Sequence, residues 1–360
     1  MNILDRYILK QFLLNIIFGI ITFICIFIVV DMMENIDKFL DAGASISIIV
    51  QFYIFFIPEI IKLMLPVAML LASLFTTGKL STYNELTAIR SSGISSYRIM
   101  IPFFIVAFIV SIAAIYFNGW IVPYANQNKY RIDRVYMHRH LESINRDNLF
   151  FQDKSNTLMN IGYFDDISLS ALKVSIQMYD QNKLSKMVTR YDAPRMKFDS
   201  TTTLWTLYDV NIREFQNDKE ILKNADSLVI NLNFQPHQIL REQQKPDEMN
   251  YTEMGEFIST KRQSGYNMAK WTVEYYSKTS FPFASFIVVL FGVPFSLNKR
   301  RAGMSVQFGI SLLICFIYLV FMKITNVFGY NGDLNPLLTA WLANIVFFIA
   351  AILNLYRSNK

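Results

Sequence analysis

The chain has 360 residues, of which 53% are hydrophobic, and a formal net charge of +6. This composition suits a polytopic membrane protein that carries one substantial polar insert. The excess positive charge is concentrated beside the apolar segments, so it does not indicate binding to nucleic acid.

Six apolar segments are long enough to cross a bilayer, and they fall into two groups of three. A helix needs roughly 17–25 mainly apolar residues to cross a hydrocarbon core of about 30 Å. The segments are Phe12–Val30, Ile60–Thr77, Ile99–Val122, Thr279–Leu297, Gly303–Ile324 and Pro336–Tyr356. We therefore predict six transmembrane helices in a 3+3 arrangement, with residues 123–271 inserted between the third and the fourth.

The charges that flank these segments predict that both termini lie in the cytoplasm, because Lys and Arg accumulate in cytoplasmic loops. The loop after the first segment is acidic. Its charged residues are Asp31, Glu34, Asp37, Lys38 and Asp41. The N-terminus and the loops after the second and fourth segments are basic. Their bases are Arg6, Lys10, Lys79, Arg90, Arg98, Lys299, Arg300 and Arg301. The insert is therefore expected on the outer side.

The basic start, the first apolar segment and the small residues Ala42-Gly43-Ala44 also resemble a cleavable signal peptide. However, the apolar segment has 19 residues, whereas the apolar part of a signal peptide usually has about 7–15. The acidic stretch Asp31–Asp41 also separates it from the small residues. We expect the first segment to be retained as a membrane helix.

The insert contains short alternating segments, which predict β-strands. The eight segments are Asn148–Gln152, Leu158–Tyr163, Leu172–Tyr179, Met187–Tyr191, Met196–Phe198, Leu204–Leu207, Asn211–Phe215 and Leu228–Phe234. This number of strands predicts a jelly roll or a sandwich. A helix is predicted at Thr252–Gln263, with Thr252 as N-cap and Gly265 as stop. Both cysteines, Cys25 and Cys315, lie in apolar segments, so the insert is expected to hold without disulfides.

The predicted fold is therefore a polytopic α-helical membrane protein with six transmembrane helices and an inserted β-jellyroll-like domain. Residues 1–122 carry the first three helices, residues 123–271 form the insert with its connecting helices, and residues 272–360 carry the last three.

The loop after the second apolar segment contains a predicted short helix at about residues 81–93. Ser81 is a suitable N-cap, Glu85 lies where the helix dipole favours a carboxylate, and Gly93 is a suitable C′ residue. The segment is either an ordinary linker helix or a docking helix that transmits force from a cytoplasmic partner. The residues expected to contact such a partner are Glu85, Leu86, Ala88, Ile89, Arg90 and Gly93.

Charged side chains also lie near the outer ends of the apolar segments. Glu59 and Lys62 are three residues apart, so they form a local ion pair on one helix face or place a charge towards a cavity. The bases beyond the third segment are Lys129, Arg131, Arg134, Arg139 and Arg146. These bases form a solvated linker face, inter-domain salt bridges or a rim of cations for anionic lipid head groups. We favour the rim, because guanidinium groups match phosphate bidentately.

The sequence lacks the motifs of common catalytic sites. It contains neither a Gly-x-x-x-x-Gly-Lys-Ser/Thr motif for ATP nor a Gly-x-Ser-x-Gly nucleophile elbow. His138 and His140 could face one side of a strand, but they and His237 have no accompanying cluster of Cys or carboxylates. We therefore expect no catalytic residue, metal or cofactor in this chain, and a partner must supply any ATP-binding site.

Several short motifs occur along the chain in an order typical of one known family. They are Leu4-Asp5-Arg6-Tyr7-Ile8, Pro58…Pro66 with Leu70-Leu71, Asn84-Glu85-Leu86-Thr87-Ala88 with Ser92-Gly93, Lys278-Thr279-Ser280-Phe281-Pro282-Phe283, Gly292-Val293-Pro294 and Pro336…Ala340-Trp341…Asn344. With the 3+3 layout around a β-rich insert, the chain resembles the LptF/LptG family over nearly its whole length. Members are permease subunits of the lipopolysaccharide export ABC transporter.

The resemblance implies partners and a substrate. Two permeases, one of each type, pair in the inner membrane of a Gram-negative bacterium, and an LptB-like cytoplasmic ATPase dimer receives the helix that carries Glu85. Lipopolysaccharide enters from the outer leaflet through lateral gates formed by the first and fifth spans. It leaves to an LptC-like bitopic partner and an LptA-like periplasmic bridge. Because of the ATPase partner, the chain itself is expected to be a transport subunit rather than an enzyme.

The resemblance also implies that basic residues at the periplasmic rim meet the phosphates of the lipid. The candidates are Lys38, Lys62, Lys129, Arg131 and Arg134. Arg131 matches a basic rim position best. Members of the G type often carry a lysine late in the first span, where this chain has Asp31 and, two turns on, Lys38. The opening residues and the stretch from Ser264 to Lys278 are more similar to the G type than to the F type.

Three alternatives remain. Other ABC-type permeases generally have four spans with the insert after the first, which does not match six segments. A membrane enzyme with a catalytic domain on the outer side would need a converging nucleophile, base or metal set. A structural anchor for a β-domain would leave the loop around Glu85 and the charges at membrane depth unexplained.

Overall fold

The structure is a computed structural model that describes residues 3–137, 149–154, 156–165, 168–180, 186–200, 202–216, 219–232, 236, 245–263, 267–297 and 304–357. These residues form two compact units. One comprises Met1–Met137 and Pro246–Lys360, and the other comprises His138–Lys245. The helices named below belong to the first unit and the strands to the second.

The helical unit begins with long helices and continues through the short one that was predicted. Its helices are α1 (Ile3–Asp41), α2 (Ile46–Thr82), α3 (Glu85–Ser91), α4 (Ser96–Tyr116), α5 (Val122–Ile132), α6 (Tyr251–Gln263), α7 (Ala269–Ser280), α8 (Phe283–Leu297), α9 (Met304–Tyr330) and α10 (Pro336–Arg357). π-Helical turns at Phe117–Ile121 and Asp133–Met137 extend α4 and α5, and a 3₁₀ turn at Pro246–Glu248 precedes α6.

Five helical spans among the described residues are long and apolar enough to cross a membrane: α1, α2, the continuous helix that starts with α4, α9 and α10. A sixth is obtained if α7 and α8, which are bent by 50° at a short break, count as one span. Apart from Gly303, which lies outside the described residues, the predicted apolar segments lie in these helices. However, α1 and α2 have 39 and 37 residues, because helical hydrogen bonding continues into the polar flanks that the apolar pattern leaves out.

The bend between α7 and α8 has a specific cause. Pro282 lies in the break and cannot donate a backbone hydrogen bond. The amide Nδ2 of Asn344, on α10, donates to the carbonyl of Ser280 at 2.7 Å. The broken turn is therefore stabilised by a neighbouring helix, as a polar backbone group in a membrane requires.

Packing in the helical unit brings α1, α2, α4 and α8 together. Phe12 and Phe103 are buried with their ring centroids 5.0 Å apart. Gly292 allows α8 to approach α2, since a Cβ at this position would lie 2.5 Å from Cδ1 of Leu70. A second core joins α2 to α8, α9 and α10 around Tyr318.

The second unit contains one antiparallel sheet in which each strand pairs with the next along the chain. The strands are β1 (Leu149–Lys154), β2 (Thr157–Asp165), β3 (Ser170–Tyr179), β4 (Met187–Asp199), β5 (Leu204–Gln216) and β6 (Lys219–Ile230). A jelly roll needs two sheets and crossing connections, which the described strands do not contain. The jelly-roll part of the prediction is therefore not confirmed.

The prediction of eight strands is corrected to six in the described residues. The segments Met187–Tyr191 and Met196–Phe198 form the single strand β4, and Leu204–Leu207 and Asn211–Phe215 form β5. The sequence pattern divided each of these strands in two because the alternation is interrupted at one position. The interrupting residues lie side by side on neighbouring strands, between consecutive backbone-paired positions, and this row is here called the crease. The crease consists of Gly162, Lys173, Pro194 and Asp209.

The crease shifts which residues face the core. On β2 the buried residues are Met159 and Ile161 before the crease and Phe164 after it. Lys173 and Asp209 have φ angles of 54° and 55°, in the left-handed region, which interrupts the alternation of an extended strand. A prediction based on strict alternation of buried and exposed residues ends the strand at such a shift. In the structure, backbone pairing continues on both sides of it.

The boundaries of the insert and the caps also differ from the sequence-based expectation. The helical unit extends to Met137 and resumes at Pro246, because helical structure continues beyond the apolar segment into the polar residues after 122.

The predicted helix at Thr252–Gln263 is confirmed as α6. Its cap is Asn250 rather than Thr252: Asn250 Oδ1 accepts from the Glu253 amide at 2.8 Å, and Glu253 Oε2 accepts from the Asn250 amide at 3.0 Å. This reciprocal arrangement is a capping box. The proposed stop, Gly265, lies outside the described residues.

Candidate functional site

Helix α3 is a short exposed element between two membrane-crossing helices. Helix α2 continues to Thr82, so Ser81 lies in its last turn and is not the N-cap of α3. Asn84 occupies that position with a left-handed backbone, at φ 57°. Gly93 has a φ angle of 83° just after the helix, which confirms its predicted role as the residue that ends α3.

One face of α3 packs on the helical unit and the other is exposed. Leu86 is buried and Ile89 is partly buried, both against the core that contains Ile8 and Phe12. Thr87 and Ala88 are exposed. The helix is therefore anchored on one side and presents its other side to the surroundings.

Polar contacts tie α3 to two other helices. The Tyr7 hydroxyl of α1 donates to the Glu85 carboxylate, at 3.2 Å from Oε1 and 3.1 Å from Oε2. Arg90 Nη2 donates to the carbonyl of Leu297, at the end of α8, at 2.8 Å. A cation at a helix C-terminus satisfies carbonyls that have no intrahelical partner.

The start of α4 is held in the same region, because Arg98 Nη2 lies 2.7 Å from Oδ2 of Asp5 on α1. Asp5 is nearly buried. Displacement of α3 would thus act on α1 and α8 directly, and on α4 through the packed core.

A second polar site lies on α2, α5 and the 3₁₀ turn. This ionic cluster consists of Glu59, Lys62, Lys129, Arg134, Asp247 and Glu248. Lys62 Nζ lies 3.0 Å from Asp247 Oδ1, Arg134 Nη1 lies 3.6 Å from Glu248 Oε2, and Lys129 pairs with Glu59. The local Glu59–Lys62 ion pair considered from the sequence is not the arrangement adopted, since each residue pairs with a distant partner instead.

Side-chain amides of α5 hold the same 3₁₀ turn. Asn126 Nδ2 donates to the carbonyl of Asp247 at 3.3 Å, and Gln127 Nε2 donates to the carbonyl of Glu248 at 2.7 Å. The turn that follows the insert is therefore bound to the helices that precede it in the chain.

Lys129 is the most enclosed cation of the cluster, at 8% exposure. Its ammonium lies 4.9 Å from the ring centroid of Phe56 and 4.5 Å from that of Tyr130. Aromatic faces attract cations, so the rings and Glu59 together stabilise a charge that would otherwise be costly to bury.

The pKa of the Asp247 carboxyl reflects the same balance. Burial raises this pKa, but the charge and hydrogen bond of Lys62, together with the charges of Lys278 and Lys129, outweigh burial, so the pKa lies below its ordinary value. The carboxylate therefore remains charged throughout the neutral range.

The sequence-predicted cations fall into two groups. Lys62, Lys129 and Arg134 are engaged in the ionic cluster. Arg131 is exposed and forms no ion pair within the described ranges, and Lys38 is exposed with its ammonium 3.2 Å from Oδ1 of Asn35. Arg139 and Arg146 lie outside the described residues, as do His138, His140, His237 and Lys299-Arg300-Arg301.

Sequence reasoning missed the acidic partners of the cluster and one further cation. Asp247 and Glu248 directly follow Pro246. An acidic pair after a proline is the sequence feature that could have indicated them. Lys278, on α7, is 7% exposed and forms no ion pair with a described residue, although its charge acts on Asp247. In the sequence, Lys278 stood out only as the first residue of the motif Lys278–Phe283, one of those that carry the resemblance to the family.

The described part of the chain contains no evident metal or cofactor site. Within those ranges, no three His, Cys, Asp or Glu side chains converge as a metal site would require. The charged groups found together are paired acids and bases, an arrangement that holds elements in place.

The ionic cluster and α3 lie near opposite ends of the apolar segment Ile60–Thr77 within α2. Twenty residues separate Lys62 from Thr82, which corresponds to about 30 Å along a helix, or one hydrocarbon core. One continuous helix thus connects the two sites.

Comparisons with known proteins agree over the whole chain. The family model described as lipopolysaccharide export system permease LptF/LptG matches residues 6–357. The chain is 22% identical to the lipopolysaccharide export system permease protein LptG of Escherichia coli K12, covering 99% of both proteins. It is also 22% identical to LptG of Haemophilus influenzae, covering 97% of this chain and 96% of the relative. It is 20% identical to LptF of Escherichia coli K12, covering 98% and 95%.

Proposed function

The chain belongs to the LptF/LptG family of lipopolysaccharide export system permeases, and we propose that it is the LptG-type subunit of an ATP-driven exporter in the inner membrane. In this proposal it extracts lipopolysaccharide from the outer leaflet together with a paralogous LptF-type permease. The LptG assignment rests on the opening residues and on the stretch from Ser264 to Lys278, and similarity to the LptG relatives supports it.

The proposed topology has six spans, with α7 and α8 forming the fourth, and both termini in the cytoplasm. The basic residues at the N-terminus and after α2 support this orientation. The insert is then periplasmic, and the ionic cluster lies at the periplasmic end of the apolar segment of α2. Among the described strands β6 lies at one edge of the sheet, and an edge strand suits strand addition by an LptC-like partner or an LptA-like bridge. A jelly-roll shape for the complete insert belongs to this proposal.

The observation that carries the proposal best is the anchored but exposed helix α3. A docking helix must be accessible to the ATPase dimer and must also be connected to the membrane helices. The exposed Thr87 and Ala88 meet the first condition, and the contacts of Glu85 and Arg90 meet the second. Movement of an LptB-like ATPase would thus reach α1 and α8 mechanically.

The exposure of α1 supports a second permease. In the most apolar 18-residue stretch of α1, only 6% is buried within this chain. One face of such a helix contacts lipid or another subunit, and two permeases would supply enough helices to enclose the acyl chains of the substrate.

For the lipid phosphates, we propose Arg131 and Lys38 as the readily accessible contacts. Lys62, Lys129 and Arg134 would reach a phosphate only by exchanging their internal carboxylate partners. This refines the substrate-binding set predicted from the sequence without removing any of its members.

The proposal is tested by purifying the tagged chain from its native membranes in gentle detergent and identifying what is retained by mass spectrometry. We expect a soluble ATPase, a second permease of similar length and lipopolysaccharide. Recovery of the chain alone, in a preparation that retains another known membrane complex intact, would contradict the transporter assignment.

A further inference from the structure

A groove lies where the ends of three membrane helices meet, on the same side as α3. It has a volume of about 250 Å³ and is lined by α2, the last turn of α8 and the second turn of α9. None of its lining residues belongs to the ionic cluster or to the contacts of α3. It is therefore separate from both sites described above.

The groove changes from apolar to polar along α2. Its deeper part is formed by Leu74, Phe75 and Phe308, and the rings of Phe75 and Phe308 are 5.7 Å apart. Its outer part carries Lys79, Thr82 and Ser296. Leu74 and Thr82 are eight residues apart, or about 12 Å along the helix. An amphiphile changes from acyl chain to head group over a similar depth.

Lys79 provides the charge that selects the head group. It is exposed and forms no ion pair with any described residue. Phe75 is 57% exposed at membrane depth within this chain, so its ring is available to lipid, another subunit or a bound molecule. A cation above an exposed aromatic wall at the edge of the hydrocarbon core suits an anionic lipid.

We propose that this groove binds an anionic glycerophospholipid from the cytoplasmic leaflet, with Lys79 at its phosphate and Phe75 and Phe308 beside its acyl chain. The inference rests on the proposed topology, which places the α3 end of α2 in the cytoplasm. The transported lipid would enter from the other leaflet, so this phospholipid is a bound lipid and not the cargo.

The test is native mass spectrometry of the full-length chain, with whatever subunits it retains, after titration with phosphatidylglycerol or phosphatidylcholine of identical acyl chains. We expect phosphatidylglycerol to bind more tightly. Lys79→Gln should lower its affinity about fivefold, the change that corresponds to the roughly 1 kcal/mol contributed by one basic residue near anionic lipid. Lys79→Arg should retain the affinity.

The matched control is Lys10→Gln, since Lys10 is an exposed lysine at the same end of the helical unit but outside the groove. It should leave phosphatidylglycerol binding unchanged. Phe308→Ala should weaken both lipids equally, because it removes acyl-chain contact and no charge. Equal losses in Lys79→Gln and Lys10→Gln, or equal binding of the two lipids to the unmodified chain, would overturn the inference. Lipid binding is measured without ATP or export, so its failure is distinguishable from failure of the proposed transport function.

Discussion

The Lys62–Asp247 ion pair joins the middle of α2 to the turn that follows the insert. Lys278 contributes a second positive charge to the surroundings of Asp247. Asp247 therefore balances more than one cation, and its removal leaves positive charge in a partly buried place. Breaking a buried pair by removing one partner costs more than the pair contributes.

Asp247→Asn is accordingly expected to destabilise the helical unit by about 1–3 kcal/mol, a value reduced from the fully buried case because both side chains are partly exposed. Thermal unfolding of the purified chain in detergent would measure this. Asp37→Asn, at an exposed position of α1, is the control. The double variant Lys62→Met with Asp247→Asn should recover part of the loss, and no recovery would argue against a direct interaction.

The low pKa of Asp247 also gives a pH dependence. A carboxyl whose pKa is depressed by folding stabilises the folded state above its unfolded pKa of about 3.9. This contribution is lost as the pH falls through the lower folded pKa. The stability difference between the unmodified chain and Asp247→Asn should therefore be constant from neutral pH to about pH 5 and shrink in stronger acid. Unfolding by denaturant at several pH values would test this, and a difference that vanished at pH 6 would contradict it.

Arg131 and Arg134 are predicted to behave differently although they lie three residues apart. Arg131→Glu should reduce photo-crosslinking to lipopolysaccharide several-fold without changing thermal stability, because Arg131 is exposed and has no described ion-pair partner. Arg134→Glu should lower stability, because it places a carboxylate against Glu248. Normal crosslinking in Arg131→Glu would refute a contact with the lipid phosphates.

At the scale of elements, α3 combines an accessible face with an anchored one. Glu85→Ala should abolish export and uncouple ATP hydrolysis from transport while leaving the membrane topology intact. The structure adds a sharper control, since Tyr7→Phe removes the hydrogen bond to Glu85 but leaves the carboxylate. Coupled ATPase and lipopolysaccharide-release assays of the reconstituted complex would compare them.

If Glu85 acts by contacting the ATPase, Tyr7→Phe should retain most of the activity. If Glu85 acts by anchoring α3 to α1, both variants should lose activity to a similar degree. Normal export in Glu85→Ala would exclude both roles.

The crease is the element-scale feature of the sheet. A Cβ at Gly162 would lie 3.0 Å from Cβ of Lys173 and 3.3 Å from the carbonyl of Leu172. Gly162→Val should therefore destabilise the insert by about 1–3 kcal/mol through overpacking. Hydrogen exchange of the full chain should show faster exchange on β2 and β3. Leu158→Val, at a half-exposed position of the same strand, should have little effect, and equal behaviour of the two variants would argue against the crease.

At the scale of the whole chain, one continuous helix links a cytoplasmic docking element to a periplasmic ionic cluster in the proposed topology. Helix α2 packs against α1, α5 and α8, and it carries Pro58 and Pro66 within its length. In the proposed function, an ATP-driven movement of α3 would therefore be transmitted along α2 to the cations near its middle. On the proposed function, this connection would let a permease without ATP-binding motifs of its own respond to a cytoplasmic ATPase.

The sequence by itself determined the features that depend on local pattern. Long apolar segments specify membrane helices because backbone groups in hydrocarbon must be paired within the segment. For the same reason of locality, Gly93 could be recognised as the end of α3, and α6 could be placed to within one residue. Membership of the family was also recognisable, since its motifs are short and occur in order.

Only the tertiary structure decided which distant groups meet. Glu59 and Lys62 are neighbours on one helix, yet Glu59 pairs with Lys129 and Lys62 pairs with Asp247, 185 residues away. The prediction divided strands β4 and β5 because their alternation of buried and exposed residues shifts at the crease. Pairing with the neighbouring strands continues in the same register on both sides of it. Ion-pair partners, bulges and grooves depend on contacts between remote segments, and the free energy of those contacts is not encoded in any local stretch of residues.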